Sequence, residues 1–194
     1  MERERIMSLP IYLKKDDVDK LLSAQLRGYG AKHERNQLLA RLMLTTGMRV
    51  GEVCKLQVEH IDFEERMIFI RKGKGGKDRI VFLEPETASR LRKFVRERTY
   101  GPVFEAKPRC FQRIIKKMAR IANVRNAGLV TPHKLRHTFA INWIQRNGDV
   151  ESLRRLLGHN SLATTQVYLN FDFDYLRSQF DRLMSGSNQE RRMI

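Results

Sequence analysis

The hydrophobic period of this chain departs from the helical one in a single stretch, and that stretch limits the fold more than any other feature of the sequence. Before Glu59 and again after Pro85, apolar residues recur every three or four positions, as they do along amphipathic helices. Between Glu59 and Leu83 they alternate. The segments His60–Phe63, Met67–Arg71 and Arg79–Leu83 are rich in Ile, Phe and Val, residues suited to the two faces of a pleated strand. One short β region inside a helical chain predicts an α+β fold, mostly helical with a small antiparallel three-stranded sheet. The 194 residues suffice for one domain with a sizeable core but not for two full domains. No internal repeat, low-complexity segment or obvious linker divides them.

Local signals place the helices. Val18, Leu21, Leu22 and Leu26 mark a first helix over Lys14–Leu26, with Asp16 and Asp17 in its first turn and Gly28 and Gly30 ending it. A second runs from about Ala31 to Thr46 and stops at Gly47. Arg49 follows that glycine just before a new helix begins, so a charge sits between apolar helices and needs either Glu52 or an anionic ligand. After Pro85, Leu91, Phe94 and Val95 mark a helix ending near Tyr100-Gly101-Pro102. Phe111, Ile114, Ile115, Met118 and Ile121 mark another. Thr131 caps a helix with Pro132 in its first turn, and Gly148 breaks it. Val150 to Leu157 form a short helix ended by Gly158, a further short helix from Ser161 carries Tyr168, and Phe173 to Leu183 form a last amphipathic one. This reading gives an N-terminal extension over 1–12, one domain over 13–184, and a polar, disordered tail over 185–194.

Charge narrows the class of partner. The 38 Lys and Arg against 22 Asp and Glu give a formal charge of +16, far beyond what solubility requires, and favour a polyanion, nucleic acid first. An anionic membrane surface competes, yet no run of about 18 apolar residues exists to span a bilayer and the first twenty residues lack the apolar centre of a signal peptide. A soluble, cytoplasmic protein is expected. Cys54 and Cys110 lie in helical, apolar surroundings and are expected to be buried free thiols, with a disulfide as the alternative. No CxxC pair is present, and no structural metal is expected.

Two basic surfaces stand out. The strands are joined by Lys72-Gly73-Lys74-Gly75-Gly76-Lys77-Asp78, a glycine-rich hairpin tip rather than a phosphate-binding P-loop, because the Gly-Lys-Ser/Thr ending is absent and a strand follows. A lysine there offers a point charge and a transferable proton inside a DNA groove, and Lys72, Lys77 and Arg79 are expected to contact DNA. The helix around Phe111 carries Arg109, Arg113, Lys116, Lys117 and Arg120 on its other face without interleaved acids. That stripe suits backbone phosphates, although most such runs are merely solvated.

The densest chemistry lies between Thr131 and Phe171, which hold His133, Arg136, His137, His159 and Tyr168. His133, Arg136, His137 and Ala140 share one helix face, so His133 and Arg136 can address one ligand. A tyrosine close to cationic groups can attack phosphorus, while the cations hold the charge that builds up there. His133 and His137 could alternatively hold a metal, but no clear third ligand accompanies them. A helical core with incidental histidines is the bland alternative.

These motifs together resemble the catalytic domain of the tyrosine recombinases, the integrase family that includes the Xer recombinases. The matching segments are TGMRVGE around Arg49, GKGGKDRIVFL around Lys74, HKLRHTFA with His133 and Arg136, LLGH with His159 and TTQVY with Tyr168. They fall in the family's order and spacing, and the likeness covers about Leu13 to Met184. The resemblance implies that Arg49 and Arg136 clamp the non-bridging oxygens of a scissile phosphate and that Glu52 buttresses Arg49. It also implies that Lys74 protonates the departing 5′ oxygen, His133 assists proton transfer, His159 hydrogen-bonds the phosphate, and Tyr168 forms a 3′-phosphotyrosyl link. His137 is left as a packing or supporting residue.

The chemistry is coherent without the family. A tyrosine pKa near ~10 leaves little phenolate at neutral pH, and nearby positive charge favours its formation. Arginines, a lysine and histidines can stand in for the metal ions of other phosphoryl-transfer sites, so no cofactor is implied, and energy kept in the phosphotyrosine makes religation independent of ATP. Double-stranded DNA is the implied partner, with a homo-tetramer built through the helix at 173–183; packing of that helix on its own domain is the alternative. Many relatives carry an N-terminal domain that closes a clamp over DNA, whereas about a dozen residues precede the first helix here. A catalytic-domain-only recombinase, a fragment, or a member relying on a partner all fit. Relaxation of DNA in the manner of type IB topoisomerases, or a catalytically weak DNA-binding relative, are the competing functions.

Overall fold

The computed structural model describes residues 12–25, 32–71 and 78–168, together with Arg177, Phe180, Asp181 and Met184. The element order is α1 (Lys15–Ser23), α2 (Lys32–Thr46), α3 (Val50–Cys54), β1 (Ile61–Asp62), β2 (Met67–Ile70), β3 (Arg79–Phe82), α4 (Pro85–Val95), α5 (Pro108–Ile121), α6 (Pro132–Gln145), α7 (Val150–Leu157) and α8 (Ala163–Gln166). The extension 1–11, the hairpin tip with Lys72, Lys74 and Lys77, most of the segment 173–183 and the tail 185–194 lie outside the described residues.

Helix α2 is the centre of the domain. Its buried residues, among them Asn36, Leu38, Leu39, Ala40, Leu42, Met43 and Leu44, go all the way round the helix, which suits a helix enclosed by other elements. Helices α1, α3, α4, α5 and α6 all pack against it. In contrast α5 is two-sided, with Phe111, Ile115 and Met118 fully buried while Arg109, Arg113, Lys116 and Lys117 face outward. Burying each of those apolar side chains contributes about 1.5–3 kcal/mol. Helix α7 lies between α6 and β3, and α8 rests on α7.

The sheet has the order β1-β2-β3 and is antiparallel throughout, with Ile68 opposite Val81 and Ile70 opposite Arg79. Ile68, Ile70 and Val81 face the core, whereas Phe69, Ile80 and Phe82 are exposed on the other side. A smaller apolar cluster of Ala140, Ile141, Ile144, Leu153, Leu157 and Tyr168 sits between α6, α7 and α8.

Several local expectations shift. Helix α1 ends at Ser23, because Ala24 leaves helical geometry with ψ 119°, and the side chain of Gln37 donates to the Ala24 carbonyl at 3.1 Å. Helix α4 ends at Val95 because Arg96 leaves the helical region with a positive φ of 56°, ahead of the glycine and proline at 101 and 102. Ile121 is exposed, and so is Cys110, one position before the buried Phe111 and on another face of α5. Both cysteines are free thiols, but only Cys54 is buried, and that burial pushes its thiol up to about 11. Helix α8 is four residues long, so Tyr168 lies two positions beyond it.

Candidate active site

Two helix ends build the floor of the site. Helix α2 stops at Gly47, φ +65°, where an added Cβ would come within 2.5 Å of the Phe139 ring. Helix α7 stops at Gly158, φ +63°. Only glycine turns the chain this way without strain, and the turns leave carbonyls with no helical partner. Arg136, from the second turn of α6, fills that gap. Its Nη1 donates to the Gly47 carbonyl at 2.5 Å and its Nη2 to the Leu157 carbonyl at 2.6 Å. The guanidinium, only 4% exposed as a residue, is thus held at the negative ends of two helices. Burial first and Arg49 second lower its pKa to about 10, so it stays charged at neutral pH.

Arg136 also orients His159. Its Nη2 lies 3.1 Å from His159 Nε2, and His159 Nδ1 lies 2.9 Å from the Thr165 hydroxyl. A guanidinium only donates, so Nε2 accepts and the ring proton resides on Nδ1. Burial and then the charge of Arg136 bring the His159 pKa down to about 4, which keeps the ring neutral.

Arg49 reaches the same place from the start of α3. Its backbone N–H donates to Glu52 Oε2 at 2.7 Å, its Nη1 to Glu52 Oε1 at 3.1 Å, and its Nη2 to the Gly158 carbonyl at 3.3 Å. Glu52 is also gripped in a bidentate pair by Arg79, with distances of 2.8 and 2.6 Å. Burial raises the Glu52 pKa, but the hydrogen bond and charge of Arg79, followed by Arg49, outweigh it, and the net shift is downward.

These groups open on a cleft of about 1040 Å³ lined by Arg49, His133, Arg136 and His159. Arg109, Arg113 and Lys116 of α5 form its opposite wall. His133 is exposed at the rim, and partial burial followed by Arg136 lowers its pKa. Lys117 is exposed but is not among the lining residues. The wall is positive, concave and rich in donors, suited to a phosphodiester backbone.

Two expected site residues lie elsewhere. Arg79, expected to contact DNA, points inward: β-strand alternation puts it on the core side with Val81, and its side chain is 8% exposed. The signal was present in sequence, because Arg79 shares the parity of Val81 and Leu83. Tyr168 does not line the cleft. It is 5% exposed in the α6–α7–α8 cluster, with its ring centroid 5.4 Å from that of His137, which in turn stands 4.1 Å from His133. Burial raises the tyrosine pKa while Arg136 pulls it the other way. Thr165 lies in the TTQVY segment but is not singled out there, since its contact with His159 exists only once α7 and α8 have packed. Lys74 is outside the described residues.

Residues 12–174 match the phage integrase family model. Tyrosine recombinase XerA of Pyrococcus furiosus is 32% identical over 186 residues, covering 90% of this chain and 62% of the relative. A crystal structure of XerA recombinase matches with a TM-score of 0.73 at 31% identity, covering 90% of this chain and 65% of that one. XerH site-specific recombinase, in a pre-cleavage complex with its difH substrate, matches with a TM-score of 0.72 at 26% identity, covering 88% and 53%. The chain therefore spans less than two thirds of the length of these relatives. The match runs through every segment that builds the cleft, and the chain belongs to the phage integrase family.

Proposed function

We propose that the chain is the catalytic domain of a tyrosine-type site-specific DNA recombinase, which cleaves and rejoins double-stranded DNA through a 3′-phosphotyrosyl intermediate. The observation that carries this reading is the meeting of Arg49, Arg136, His133 and His159, drawn from α3, α6 and the end of α7, at one basic cleft. Arg49 and Arg136 hold the non-bridging oxygens, and His159 donates to the phosphate once the bound anion favours its protonation. The Tyr168 oxygen attacks phosphorus, the P–O5′ bond breaks, the phenolic proton passes to His133, and Lys74 protonates the departing 5′ oxygen. Glu52 buttresses Arg49.

Arg109, Arg113, Lys116 and Lys117, with Lys72 and Lys77 of the hairpin, grip the DNA backbone. No cofactor or metal takes part. Tyr168 must leave its apolar seat to attack, so the arrangement described is a resting one, and engagement of DNA moves the short α8 segment. Copies pair into a tetramer on DNA through the segment 173–183. The protein works in the cytoplasm.

The test is a pool of nicked suicide duplexes with randomised sequence, incubated with the full chain in EDTA and resolved on a denaturing gel. A covalent adduct that Tyr168→Phe abolishes is expected. Absence of any adduct, or one that persists in Tyr168→Phe, would refute the assignment.

A further inference from the structure

Arg79 stands on the inward face of the sheet, opposite Ile70 and beside the fully buried Val81. A guanidinium at such a position loses its hydration, so it persists only where fixed partners replace water. It has three such bonds. Two go to the carboxylate of Glu52, and the third runs from Nε to the Leu156 carbonyl at 2.9 Å, in the last turn of α7. Its stem also packs on the α7 terminus, where a Cβ added to Gly158 would lie 3.0 Å from the Arg79 Cδ. The next residue is His159.

The charges explain why this matters. Glu52 alone with Arg49 would be a neutral pair, and the cleft would lose one of its cations. Two guanidiniums sharing one carboxylate keep a net positive charge. The shorter, bidentate contacts belong to Arg79, while the Arg49 side chain makes a single contact at 3.1 Å. Bidentate pairing is the stronger form, so Arg79 occupies the carboxylate and leaves Arg49 charged toward the cleft. Strand β3 begins at Arg79, so the same side chain ties the start of that strand to the first turn of α3 and the last turn of α7.

We propose that Arg79 is a positioning residue of the reaction: it neutralises Glu52 so that Arg49 keeps its charge for the phosphate, and it anchors the start of β3 against the turn that carries His159. This rests on the functional reading above. Arg79 acts through Glu52 and touches no substrate.

A double-mutant cycle on single-turnover cleavage of the same nicked duplex pool, at saturating protein, tests it. In the wild-type background Arg79→Met should slow adduct formation about a hundredfold, the scale of losing one electrostatic stabiliser, with DNA affinity changed by less than about threefold. In the Glu52→Gln background the same substitution should cost less than about threefold, because no carboxylate remains to neutralise Arg49. A residue that merely packs would cost the same in both backgrounds, and that result would overturn the proposal. Should Arg79→Met fail to fold by thermal melting, Arg79→Gln is compared in the two backgrounds with the same expected difference, since glutamine removes the charge that offsets Glu52 but keeps a polar donor in its place. No adduct from the wild-type chain would remove the functional reading and this inference together. A wild-type adduct with Arg79→Met within threefold of it would remove this inference alone.

Discussion

The Thr165 hydroxyl lies 2.9 Å from His159 Nδ1, on the opposite side of the ring from Arg136, and so accepts the proton that the donating guanidinium leaves on Nδ1. Thr165 is fully buried, and among the described residues it is the hydrogen-bond partner of Nδ1. The relationship spans the turn between α7 and α8, which makes the ring orientation a product of how those helices pack.

Replacing Thr165 with Val keeps the volume and removes the acceptor. Cleavage of the suicide duplex should fall about tenfold, within the range found for outer partners of active-site histidines. Thr165→Ser should restore most of it. Equal rates for Val and Ser would show that shape, not the hydroxyl, is what matters.

His137 and His159 both have pKa values brought down to about 4, first by burial and then by neighbouring cationic groups. An unfolded chain has ordinary histidines near ~6.5, so between these values the unfolded state binds more protons. Stability therefore rises with pH through this window and is lost as pH falls from about 6.5 toward 4. Thermal melting at pH 7 and pH 5 should show a lower Tm at pH 5. The drop should shrink in His137→Phe.

Gly47 has no room for a side chain, because a Cβ would lie 2.5 Å from Phe139 and 2.8 Å from Leu157. Gly47→Ala adds left-handed strain of about 1–2 kcal/mol and overpacking of about 1–3 kcal/mol. Gly51 has nothing within 4 Å of such a Cβ and lies in α3, so Gly51→Ala should be neutral or stabilising by up to about 1 kcal/mol. Urea midpoints of the two variants should move in opposite directions or, at least, only the first should fall.

Arg109, Arg113 and Lys116 form one wall of the cleft. If they contact DNA phosphates, log affinity should fall steeply with log salt, and each replacement by Ser should reduce the slope by about 0.9. Binding measured at several salt concentrations checks this. A slope unchanged in the triple variant would place the DNA elsewhere.

The order and type of the elements were legible in the sequence because periodicity is local. A strand of alternating Ile, Phe and Val or a helix with Leu every third or fourth residue declares its apolar face without reference to the rest of the chain. The same holds for Thr131 as a cap, with its hydroxyl accepting from the Lys134 N–H, and for Gly47 and Gly158 as helix stops. Motif identity likewise pointed to Arg49, Arg136 and His159 as neighbours.

Which charge meets which was decided only by the tertiary structure. Arg79 reads as one more cation beside a basic hairpin until α3 and α7 close over it and present Glu52 and the Leu156 carbonyl. Tyr168 reads as a residue of the site, yet it rests against His137 because the apolar surfaces of α6 and α7 lie nearer than the cleft. The local pattern of a chain states what each face prefers to touch. The partner that answers is set by long-range packing, because desolvating a charge or a phenol is favourable only where the folded chain supplies the matching group.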